Sequence, residues 1–143
     1  MLCNYLRYLA TLVALCLVVA CSSDKQTMEH IMQAESIMLD APDQALDIIE
    51  SIDREKVRGP RDNARYALVY SEALYHNYID IASDSLILSA VEYYRTSDED
   101  YMRVRALYQH SLILQRQGHD HLAEAMVALL EADKLLPNID DTR

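Results

Sequence analysis

The sequence predicts an all-α protein made of antiparallel helix pairs, about six helices stacked as a short solenoid of three degenerate repeats. Apolar residues recur at helical spacing along the chain from about residue 28 onward. The strongest breakers of regular structure, Pro42, Gly59, Pro60, Gly118 and Pro137, all fall between those periodic stretches. A small residue, Ala45, Ala90 or Ala125, takes the same place in the second helix of each pair.

Each element has its own signal. Ile31, Ala34 and Met38 share a face of the first helix, about 28 to 39. Pro42 suits a first-turn position of the second helix, whose stripe is Ala45, Ile48, Ile49 and Ile52. Gly59-Pro60 ends that pair, and the third helix spans about 61 to 79. Ser83 or Asp84 is the expected N-cap of the fourth, which buries Ile87, Ala90, Val91 and Tyr94. Ser97-Asp98-Glu99-Asp100 offers a capping hydroxyl followed by carboxylates that oppose the positive end of the helix dipole, so the fifth helix starts there and ends at Gly118. Asp120 is the expected cap of the sixth, with the stripe Leu122, Ala125, Met126, Leu129 and Leu136, closed by Pro137.

The first residues read as a processing segment rather than as fold. The amino terminus and Arg7 supply positive charge, and Tyr8 to Ala20 is uncharged but shorter than the roughly 20 residues of a spanning helix. Val18-Val19-Ala20-Cys21 resembles the lipobox of bacterial lipoprotein precursors. Three segments follow: 1–20, a signal peptide; 21–27, a lipidated tether; and 28–143, the helical domain. Cys21 is the expected lipidation site, because a thiol carries the thioether to diacylglycerol, and acyl chains on it would anchor the protein without spanning the bilayer. Cys3 and Cys16 leave with the signal, so no disulfide forms within the mature monomer. Ser22 after the cysteine resembles the sorting context of outer-membrane rather than inner-membrane lipoproteins, which implies a periplasmic-side, envelope location.

Composition narrows the partners. Loss of Arg7 takes the formal charge from −10 to −11, which repels phosphate backbones and anionic headgroups. No nucleic-acid partner is expected, and the lipid alone is left to hold the membrane. The chain has no Trp and no Phe but ten Tyr, and eight of them (Tyr66, Tyr70, Tyr75, Tyr78, Tyr93, Tyr94, Tyr101 and Tyr108) crowd its middle, so that skew has to be explained by packing or by binding.

In the last pair, Leu107, Ser111 and Leu114, then Ala125, Leu129, Ala132 and Pro137 resemble the size pattern of a tetratricopeptide repeat (TPR). The middle pair keeps Ser71, Leu74, Ala90 and Tyr94 with a longer connection, and the first keeps Ala34, Ala45, Ile49 and Ile52. The chain thus resembles TPR lipoproteins and the periplasmic TPR regions of bacterial envelope signalling proteins. That resemblance implies protein or peptide binding in a concave groove lined by the first helix of each pair. Carrying over the register of the third repeat directs Arg105, Tyr108, Leu112, Gln115 and Arg116 to the groove, and the second adds Arg65, Leu68, Glu72, Tyr75 and His76. Of these, Arg65, Tyr75, His76, Arg105, Tyr108 and Gln115 are the candidate partner-binding residues, Tyr and Arg being the types that dominate binding hot spots. Tyr66, Tyr70, Tyr93 and Tyr94 read as packing residues.

No catalytic constellation is expected. His119-Asp120-His121 lacks the three- or four-residue spacing that puts two histidines on one helix face, so it is read as a solvated turn and no metal is expected. Asp98-Glu99-Asp100 lacks the alternating ligands and central glycine of a calcium loop. There is no nucleophile elbow or phosphate-cradling loop, and no cofactor is expected apart from the lipid on Cys21. After Pro137 no polar helix covers the last pair, which predicts exposure of Leu130, Leu135 or Leu136 and a surface for a partner, for a second copy in a homo-oligomer, or for repeats lost from a longer ancestor. The expected function is a non-catalytic, membrane-anchored adaptor for an envelope protein or peptide. The alternative is a ligand-responsive sensory module, a remnant of a longer signalling protein.

Overall fold

Proline preset for a first helical turn and glycine free to adopt positive φ set several of the helix boundaries. The computed structural model of the protein describes residues 25–139. Within them are six α-helices and no strand: α1 (25–37), α2 (Pro42–Glu50), α3 (Pro60–His76), α4 (Ser85–Arg95), α5 (Asp100–Gln117) and α6 (Leu122–Asp133). Pro42 and Pro60 stand at first helical positions, as expected. Gly59, with φ of 79°, leads into α3, and Gly118, with φ of 112°, ends α5. The expected signal peptide and Cys21 lie outside the described residues. Of the expected tether 21–27, Lys25, Gln26 and Thr27 already belong to α1, and Thr27 is buried.

The helices pack mainly on their sequence neighbours, with α3 also touching α5. Helix α3 is the spine because it is apolar on two sides. Tyr66, Val69 and Ala73 join Ile31, Ala34 and Met38 of α1 and Ala45 and Ile49 of α2 in one core cluster. Ala64, Ala67 and Leu68 join Ile87, Ala90, Val91 and Tyr94 of α4, Ala106, Leu107 and Ile113 of α5, and Ala128 and Ala132 of α6 in the other. All four residues expected to be buried on α4 are buried. Two bidentate ion pairs, each made by the Nε–Nη2 edge of the guanidinium with both carboxylate oxygens, brace the helices: Arg61 to Glu99 (3.1 and 2.9 Å) and Arg95 to Glu131 (3.0 and 2.8 Å). Glu99 and Asp100, the latter 3.5 Å from Arg103, are thus spent on arginines.

Three expectations need correction. The third helix stops at His76 rather than near 79, because Tyr78 N–H bonds to Tyr75 O (3.1 Å) and Ile79 N–H to Leu74 O (3.0 Å), the paired bonds of a Schellman stop. Asp120 does not cap α6: residues His119–His121 wind into a 3-10 turn, and His121 precedes the helix. The buried face of α6 is Ala125, Ala128 and Ala132, whereas Leu122, Met126 and Leu136 of the expected stripe are 42, 56 and 52 % exposed. Small side chains fill the crossing with α5, so the large ones face out. Leu130 and Leu136 are exposed as anticipated.

Tyr78 occupies the left-handed region at φ of 58°, where the Schellman stop favours glycine. Its ring is 83 % exposed and so adds little burial in return. Replacing Tyr78 with Gly is expected to raise the unfolding free energy by about 0.5–1 kcal/mol, measured by urea denaturation.

Candidate functional site

The residues expected to line one groove divide among three places. Arg65 and Arg105 lie on the facing sides of α3 and α5, but their charges are taken up internally. Arg65 donates from Nε (3.1 Å) and Nη2 (2.6 Å) to Glu35 Oε2 on α1. Arg105 grips Glu72 on α3 with Nε and Nη2, at 3.2 and 2.7 Å, and its Nη1 also reaches Glu35. The four side chains are only 14 to 29 % exposed. Burial pushes the Glu35 carboxyl up, but hydrogen bonds and charge from Arg105 and Arg65 outweigh it and hold the group below the usual carboxylate range. At Glu72 burial, helped by the nearby Glu35 charge, wins over Arg105 and the weaker pull of His76, and the carboxyl is raised. Arg105 is held charged by both carboxylates against its own burial. The network ties α1, α3 and α5 together and leaves neither arginine a spare charge. Leu68, expected in the groove, is fully buried in the core.

The second place is an aromatic patch between the end of α3 and the end of α5. The Arg116 guanidinium stacks 3.8 Å from the centre of the Tyr75 ring and 5.7 Å from that of Tyr78. His76 meets the Tyr75 ring edge-on at 5.8 Å. Gln115 is exposed beside Arg116. Among the described residues no carboxylate pairs with Arg116, in contrast to Arg61, Arg65, Arg95, Arg103 and Arg105. A guanidinium held against an aromatic face keeps its N–H edge for an acceptor. Beside it opens a polar cavity of about 580 Å³, lined by the segment Asp80 to Asp84 together with Arg116, Gln117 and His121.

The third place holds Tyr108, 54 % exposed, in an apolar groove of about 370 Å³ with Val104, Leu129, Leu130 and Leu136. It lies between α5 and α6 and shares no lining residue with the polar cavity. The tyrosines expected to pack do so: Tyr66 and Tyr94 are buried, and Tyr70 and Tyr93 are half-buried against the cores. Desolvation pushes the Tyr94 hydroxyl up to about 12, as expected for a phenol inside a helix crossing.

Sequence reasoning missed Glu35, the shared acceptor of the ion network, and Tyr78, whose exposed ring stands in a strained backbone. Comparison with protein-family models, with curated proteins and with solved structures gave no match.

Proposed function

We propose that the chain is a TPR-like lipoprotein, anchored through lipid on Cys21, that binds a segment of an envelope protein or peptide without catalysing a reaction. The fold-level support is the sequential packing of helix pairs and the alanines at the helix crossings, Ala45, Ala90 and Ala125, all buried. No described helix is long and apolar enough to cross a membrane, which leaves anchoring to the lipid in this reading.

The observation that carries the binding reading is the patch of Tyr75, Tyr78 and Arg116. A strained, exposed tyrosine beside an aromatic-stacked arginine without an ion partner costs stability and adds no core. Such clusters of Tyr and Arg supply the anchors of protein interfaces. The free guanidinium edge selects a carboxylate or carbonyl in the bound segment, and the rings take an apolar neighbour. The patch, rather than the Arg65 and Arg105 pair, is the centre of the proposed surface.

The test is photo-crosslinking in the native host from a reactive residue at Tyr78, with Cys21→Ala and Arg116→Glu as controls. One dominant envelope product that disappears with Arg116→Glu supports the adaptor. A folded protein that gives no product, or the same product with Arg116→Glu, rules out this surface.

A further inference from the structure

Histidine is an unusual choice for a helix core, and His110 on α5 is only 4 % exposed. Its Nδ1 is buried without a hydrogen-bond partner, so the ring is held by Nε2 alone, 3.0 Å from Asp84 Oδ2. Asp84 stands at the N-cap of α4, yet its carboxylate caps nothing there; Ser83 Oγ accepts the N–H of Ser85 instead. A residue placed for capping has turned its charge onto a buried imidazole. Glu124, exposed in the first turn of α6, brings a second carboxylate to the same point, and one donor atom from each of Asp84, His110 and Glu124 lies within 4.8 Å of the other two.

We propose that Asp84, His110 and Glu124 form a binding site for a first-row divalent transition-metal ion of the zinc type. One imidazole nitrogen and two carboxylate oxygens are a donor set that such ions accept, whereas calcium and magnesium favour oxygen alone. The two carboxylates balance the charge of a dication. Tetrahedral ligand atoms around zinc stand about 3.3 Å apart, so the Asp84–His110 pair is already close to the required span and the exposed Glu124 side chain has only to swing inward. Asp84 lines a polar cavity, which admits water to the fourth position. The ligands lie 26 and 14 residues apart in the chain, beyond any short metal motif. Binding displaces a proton from Nε2 wherever it carries one in the Asp84 hydrogen bond.

The full chain, with its thiols first alkylated to remove competing sites, is titrated with Zn²⁺ by calorimetry and with Co²⁺ by visible absorption. One equivalent is expected to bind saturably. Glu124→Gln should weaken binding by about tenfold or more while leaving the metal-free unfolding midpoint unchanged, since that side chain is exposed. His110→Gln should abolish binding; if that variant does not fold, Glu124→Gln decides by itself. Absence of saturable binding up to about 1 mM Zn²⁺, or equal affinity in Glu124→Gln, overturns the site and leaves Asp84–His110 as a helix tie only.

Discussion

Arg105→Met is expected to lower the unfolding free energy by about 3 kcal/mol in urea denaturation, the low end of the range for breaking a buried ion pair, because the network keeps some solvent contact. Methionine keeps most of the arginine stem, so the loss isolates charge. Glu35 retains Arg65 as its partner, but Glu72 loses its salt-bridge partner, and its carboxyl is already raised by burial. The deficit therefore centres on Glu72. Pairing the change with Glu72→Leu should restore most of it, since removing both partners avoids a stranded charge. A surface arginine reserved for a partner would instead cost no more than about 0.5 kcal/mol when replaced.

The second large effect is expected on α6. Ala128→Leu should cost about 1–3 kcal/mol, because Ala128 is 3 % exposed where α6 crosses α5 and has no room for three more carbons. Met126→Glu, two residues away, should stay within about 0.5 kcal/mol, because Met126 is 56 % exposed. Thermal or urea unfolding of the two variants side by side checks the register of the helix. A larger loss from Met126→Glu than from Ala128→Leu would mean that the stripe of large residues is the buried one.

That register shows where sequence reading succeeds and where it stops. Periodicity located the α4 stripe because Ile87, Val91 and Tyr94 combine size with spacing. On α6 the same weighting toward large residues kept Ala125 but added Leu122, Met126 and Leu136, which face out, since close helix approach selects alanine and periodicity counts a leucine facing out as readily as one facing in. Gly118 announced the end of α5, but a tyrosine in the left-handed stop after α3 carries no sequence signal. The candidate site was legible by residue type and not by connection. Arg65 and Arg105 stand on the anticipated helices, while their acceptors lie 30, 33 and 70 residues away, distances at which no local pattern reports a contact. Tyr75 and Arg116 were anticipated on a shared face and do meet, and Tyr108 points elsewhere because its side of α5 turns toward α6.

The two core clusters meet along α3, which alone among the described helices contributes side chains to both. Such an arrangement invites stepwise melting, with α1 and α2 able to peel away while the remaining helices hold their own apolar contacts. The reach of Arg105 on α5 across to Glu35 on α1 works against that separation. Detaching the first helix then strips a charge partner from the fifth, so disruption on one side of the spine is felt on the other. That contact, with the Arg65–Glu35 pair between α3 and α1, opposes separate melting of the two sides of α3.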